Sequence, residues 1–189
     1  MDEQEFAKVL AGAQRGEPGA ASALFRAYQP RLLRYLRARE PRAADDLAGE
    51  VWLIVARSLG EFDGTEAGFR GWIFTITRRR VIEHRRRGVR RQTDPVDPET
   101  LADHQAVDDP STHIANRVDA QEALDFMVEH LTPDQADVVL LRVVADLDAA
   151  TVAAQLGRSE GWVRVTQHRA LARLAARLGA MGATFEVTP

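Results

Sequence analysis

The chain has no cysteine. A disulfide framework, a thiolate zinc site, a cysteine nucleophile and a thiol redox sensor are therefore excluded, and any such chemistry must sit in a partner. No apolar run approaches the roughly 20 residues needed to cross a bilayer. The stretch Met1 to Leu10 is acidic and polar rather than a signal peptide, so a cytoplasmic protein with no direct membrane insertion is expected. Aromatic residues are only 6% of the chain, and the alternation that marks strands is nearly absent, while Ala, Leu and Arg recur at helical spacing. An all-α fold follows. No nucleophile–base pair, phosphate-binding glycine loop or metal-ligand spacing is present, which argues against an enzyme and for no cofactor. His104 and His113 lie beside Asp103, Asp108 and Asp109, but their spacing matches no established metal site.

Lysine is almost missing as well: of 25 cationic side chains only Lys8 is lysine. Arginine is the side chain suited to gripping phosphates and guanine edges. The net charge of −3 is a cancellation between segments. From Arg78 to Arg91 eight arginines face one Glu, net +7; from Thr93 to Asn116 six acids stand without a Lys or Arg, net −6. Arg117 to Ala150 is again −6, and Arg158 to Arg177 is +4. Two basic blocks separated by acidic stretches are an electrostatic footprint for nucleic acid.

Leu24, Phe25, Tyr28, Leu32 and Leu36 form one apolar stripe closed by Pro41, and Leu47, Val51, Ile54 and Val55 a second. Phe62 to Gly68 reads as a loop. Phe69, Trp72, Ile73 and Ile76 start a third helix that runs into the arginine block, giving a small bundle over roughly 17–88. Residues 92–116, with Pro95, Pro98 and Pro110, many acids and no aromatic residue, read as an extended acidic linker. Beyond it, Thr132-Pro133-Asp134-Gln135 is a capping-box helix start, followed by Ala136, Val139, Leu140, Val143, Val144 and Leu147 at helical spacing. A short helix from Asp148 to Leu156, Gly157, and a new helix capped by Ser159 form a helix-turn-helix. The expected organisation is two helical domains, 1–91 and 117–189, tied by 92–116.

On the last helix, Val163, Ala170, Leu174 and Leu178 share the inward side, with Gln167 also turned inward. Arg158, Ser159, Trp162, Arg164, Val165, His168 and Arg169 are the candidates for major-groove contact, with a solvated basic face as the alternative. In FRGWIFTITRRRVIEHRRR, Phe69, Trp72 and Phe74 could stack on unpaired bases, although Phe69 and Trp72 share the core stripe with Ile73 and Ile76. The arginines would make binding salt dependent.

Three stretches resemble the extracytoplasmic-function (ECF) class of bacterial RNA polymerase sigma factors. Asp45-Asp46-Leu47-Ala48-Gly49-Glu50-Val51-Trp52 resembles region 2.2, FRGWIFTITRRRVIEH resembles regions 2.3 to 2.4, and LDAATVAAQLGRSEGWVRVTQHRA resembles region 4.2. The resemblance covers most of residues 20–178. It implies a sigma region 2 bundle and a region 4 helix-turn-helix serving a dissociable polymerase subunit without catalysis of its own. Asp45, Asp46, Glu50 and Leu53 would meet core polymerase at the β′ clamp helices, and the protein would also touch the β flap. Charge compensation at a helix N-terminus is the other reading of Asp45 and Asp46. The −10 element of promoter DNA would be opened by Asp63, Gly64, Thr65 and Trp72 around a base pocket, with Arg78, Arg79, Arg80, His84, Arg85 and Arg86 on the melted strand. Region 4 would read the −35 duplex. The acidic segment would thread the polymerase cleft or serve as a plain tether. An anti-sigma factor is the further partner implied.

The sequence also departs from the pattern. Gly49 replaces a usual Gln, Arg79 a usual Asn, and Ala149-Ala150-Thr151 an aromatic and two acids; Trp162, Val165, Thr166 and Gln167 differ from the residues common there. The family's promoter sequences therefore do not carry over. A free-standing helix-turn-helix regulator is the alternative, and it leaves the first two motifs without a role.

Overall fold

The computed structural model describes the backbone of residues 1–93 and 114–185, and the side chains of 1–90 and 122–180. Most of the acidic segment, including His104 and His113, lies outside the described residues. Within them the chain forms helices and no strand.

Helix α1 (Glu3–Gln14) starts where the Asp2 carboxylate accepts the Glu5 N–H at 2.8 Å, satisfying one orphan donor of the first turn. Its Phe6 and Leu10 are buried, so the polar start of the chain is an amphipathic helix that the sequence reading passed over. Helix α2 (Pro18–Arg39) opens on proline and buries Leu24, Tyr28, Leu32, Tyr35 and Leu36. Phe25, placed on that stripe by spacing, faces outward instead and packs on Trp52 at 5.1 Å between ring centres. Helix α3 (Ala44–Ser58) buries Leu47, Ala48, Val51 and Val55 against α2 and α4.

Helix α4 (Glu66–Thr93) begins inside the segment read as a loop, because the Thr65 hydroxyl accepts the Gly68 N–H at 3.1 Å and nucleates the first turn. Its 28 residues make a rod of about 42 Å. Phe69 is the hub of the bundle: its ring lies 4.9–5.6 Å from Phe6, Tyr28, Phe62 and Trp72. Phe74 is fully buried against Tyr35, so it is a core residue and not a stacking platform. Buried Thr77 bonds the Ile73 carbonyl at 2.8 Å.

In the C-terminal half, α5 (Ile114–His130) leads to α6 (Pro133–Val139), whose capping box between Thr132 and Gln135 is formed as the sequence requires. The regular spacing then breaks. Leu140–Val144 is a π-helical turn, and its extra residue rotates the register so that Leu141 is buried while Val143 is 54% exposed. Helix α7 (Ala149–Leu156) is capped by Asp148, whose carboxylate accepts the Thr151 N–H at 2.6 Å, and is closed by Gly157 at φ +65°. That left-handed turn is why glycine stands there. Helix α8 (Glu160–Phe185) buries Val163, Ala170 and Leu174. Leu178, expected on the same inward side, is 56% exposed, because α8 outruns the helices it packs on.

The two halves share one apolar cluster. Leu124, Val138, Leu140, Leu141 and Val152 join Tyr35, Leu36 and Phe69, and α2 packs against both α5 and the π turn. A second, smaller cluster of Leu131, Ala136, Val139, Ala170 and Leu174 holds α6 on α8.

Candidate functional site

The first face is on α3. Asp45 and Asp46 are exposed in its first turn, where they offset the helix dipole, and Asp45 lies 3.7 Å from Arg37. Glu50 follows Asp46 by one turn and Leu53 comes next on the same side; Leu53 is 59% exposed. Glu50 is not free, since its carboxylate is 3.7 Å from both Arg80 and Arg87. Beside this face the Trp52 indole N–H donates to Gln29 at 2.6 Å, and outward Phe25 covers the ring. The result is an acidic strip edged by exposed apolar surface. Phe25 was missed as a surface residue because its spacing also fits the core stripe.

The second face is on α4 and the turn before it. Asp63, Gly64 and Thr65 are exposed, but the Thr65 hydroxyl is occupied as a helix cap. Trp72 is half-buried between Phe62 and Phe69, so part of its ring is core. The arginines divide by the partners within their reach. Arg80 sits 2.9 Å from Glu83, His84 is 4.0 Å from Glu40, and Arg85 pairs with Glu40 and donates to the Arg39 carbonyl at 2.9 Å. Arg78, Arg79 and Arg86 line a cleft of about 490 Å³ together with Glu83, which pairs with Arg80, and with Ala154 and Gln155 of α7; none of these three arginines has an ion-pair partner among the described residues. An unneutralised arginine row is the stronger phosphate binder, because a carboxylate already in place must first be displaced.

The third face is the start of α8. The Ser159 hydroxyl accepts the Trp162 N–H at 3.2 Å, and the Arg158 guanidinium lies 5.1 Å above the half-buried Trp162 ring. Arg164 pairs with Glu160 at 2.5 Å, while Val165, His168 and Arg169 are exposed. Gln167 turns inward as expected and accepts from Arg142 Nε at 3.0 Å; Arg142 also holds the Leu147 carbonyl, which ties α8 to the segment before α7. The faces on α4 and α8 are not brought together. What α4 meets is α7, a neighbour the sequence pattern did not suggest.

Two phenols in this framework are perturbed. Burial pushes the Tyr35 hydroxyl up to about 12, with the Asp137 charge adding to it. Burial likewise raises Tyr28, whose hydroxyl donates to Glu66 at 2.9 Å. The Asp148 carboxyl is held below its ordinary range by the Thr151 N–H it accepts.

Known proteins resemble this chain in both of its halves. The family model for sigma-70 region 2 matches residues 24–91, and that for sigma-70 region 4 matches residues 121–174. The ECF RNA polymerase sigma factor SigD of Mycobacterium tuberculosis is 30% identical over 96% of this chain and 88% of its own length. ShbA of Streptomyces griseus, another ECF RNA polymerase sigma factor, is 31% identical over 87% of this chain and 90% of its own. In fold, the chain resembles CnrH in complex with the cytosolic domain of CnrY, with a TM-score of 0.61 and 20% identity over 93% and 98% of the two chains. It also resembles the sigma factor RpoE of Bartonella quintana in complex with the anti-sigma factor NepR, with a TM-score of 0.60 and 21% identity over 84% and 96%. With both conserved-region models in order and relatives matched nearly end to end, the chain belongs to the ECF sigma factors of RNA polymerase.

Proposed function

We propose that the chain works as a dissociable specificity subunit in which residues 1–91 bind core polymerase and open the −10 element, 92–116 connect, and 117–189 read the −35 element. Asp45, Asp46, Glu50 and Leu53 dock on the β′ clamp helices, and the C-terminal half engages the β flap. Asp63, Gly64, Thr65 and Trp72 shape the pocket for an unstacked base, and Arg78, Arg79, Arg80, His84, Arg85 and Arg86 follow the strand. Arg158, Ser159, Trp162, Arg164, Val165, His168 and Arg169 present α8 to the major groove. The protein acts in the cytoplasm and has no catalysis of its own. No described helix is long and apolar enough to cross a membrane.

The observation that carries this reading is the coexistence, in one chain matched by both region models, of an acidic face on α3, an arginine row on α4 and a capped helix-turn-helix. A free-standing regulator would need only the last of these. An anti-sigma partner is supported by a solved relative that is bound to one. Run-off transcription with purified core polymerase on genomic fragments tests the function: transcripts that require the chain are expected, and none from a competent core would refute it.

A further inference from the structure

Helix α1 precedes the segment that the region 2 family model matches, and none of the sites assigned above uses it. At the helical repeat of about 100° per residue, Glu3, Phe6, Leu10 and Gln14 fall on one face. Phe6 and Leu10 are buried, and the Phe6 ring lies 5.5 Å from that of Phe69, so the apolar middle of this face fixes α1 on the bundle. The polar residues at its two ends both reach the connection between α3 and α4. The Gln14 amide donates to the Leu59 carbonyl at 3.0 Å and to the Phe62 carbonyl at 2.7 Å, bracketing the tight turn Leu59–Glu61. At the other end the Glu3 carboxylate accepts the Glu66 N–H at 3.2 Å, one of the orphan donors in the first turn of α4. One short helix thus anchors the chain on both sides of Asp63, Gly64 and Thr65.

What lies between those anchors is the pocket proposed for the unstacked base. The Phe62 ring lies beside Gly64, where an added Cβ would stand 3.1 Å from Phe62 Cζ, and it packs on Trp72 at 5.1 Å between ring centres. The carbonyl that Gln14 holds therefore belongs to the residue whose ring supports both Gly64 and Trp72. Anchoring a short connection at both ends removes backbone freedom before a ligand arrives, so a base that enters need not order the loop at the expense of its own binding.

We propose that Gln14 and Glu3 are positioning residues for base selection at the −10 element: from α1 they hold Phe62 and the start of α4 at the spacing that shapes the pocket, and so set how sharply one base is preferred there. The inference rests on the assignment of Asp63, Gly64, Thr65 and Trp72 to the unstacked base. The action of both residues is indirect, through Phe62 and the first turn of α4.

The test uses holoenzyme assembled from core polymerase and the full-length chain, on a promoter found by run-off transcription and on its single-base variants across the −10 element. The readout is the ratio of transcript from the preferred base to transcript from the substituted ones at the most selective position. One wrong base typically costs about tenfold. That preference is expected to fall to about twofold in Gln14→Glu, which keeps the side-chain length but turns a carboxylate toward the two carbonyls that the amide held. Glu3→Ala at the exposed end of α1 should lower the ratio as well, and it keeps the test open if Gln14→Glu folds poorly. Leu36→Val is the control for lost stability: Leu36 is fully buried two turns beyond Tyr28 on α2, so the variant should melt lower yet keep the wild-type ratio. Wild-type ratios in Gln14→Glu and Glu3→Ala, or a ratio that falls as far in Leu36→Val, would overturn the proposal. Wild-type transcription indifferent to every −10 base would refute the pocket beneath it, and no transcripts from wild type with a competent core would refute the functional assignment itself.

Discussion

Gly157→Ala isolates one cause in the helix-turn-helix. Nothing lies within 4 Å of the added methyl, so packing does not change, and the whole effect comes from forcing a Cβ into φ +65°. The left-handed conformation costs an L residue about 1–2 kcal/mol. The apolar cluster is continuous across both halves, so one cooperative transition is expected, and in a chain of this size each kcal/mol moves Tm by roughly 2–4 °C. Gly49→Ala is the matched control: it also meets nothing within 4 Å, but it sits inside α3 with no positive φ, where Ala is better than Gly by about 1 kcal/mol. The same chemical change should therefore lower Tm at 157 and raise it at 49. Differential scanning calorimetry on the purified full-length variants reads both signs. Stabilisation by Gly157→Ala would refute the left-handed turn and, with it, the presentation of α8.

Phe69→Ala removes the ring that four other aromatics contact and should cost about 3–5 kcal/mol in chemical denaturation; Phe25→Ala at the surface should cost far less. The raised Tyr35 pKa stabilises the folded chain fully below the unfolded phenol value of about 10, and this stability is lost as pH rises through about 12. Tyr35→Phe should flatten stability over that interval in a pH series of melts, leaving the Tyr28 contribution. The depressed Asp148 pKa works in the opposite direction, its stabilisation being present above the ordinary Asp range and lost as pH falls through the folded value. Asp148→Ala should cost about 1 kcal/mol at neutral pH and remove this acid dependence.

The elements that the sequence announced are those whose signals are local. Thr132 and Gln135 form their capping box, Asp148 and Ser159 cap their helices, and Gly157 turns between them, because each needs only neighbours three residues away. What was illegible depends on residues far apart in the chain. Phe25 and Phe74 exchange their expected roles because Trp52 and Tyr35 decide which ring has a pocket. Leu141 and Val143 trade faces at a π turn that no short pattern encodes. The division of the α4 arginines between acids on one side and the α7 cleft on the other follows from how the halves dock, which composition and spacing do not specify.

The most direct test of the account is permanganate footprinting of a promoter found by run-off transcription. Core polymerase with this chain should make thymines around the −10 element reactive, while core alone leaves them protected. Transcription that depends on the chain but shows no strand opening at that element would contradict it.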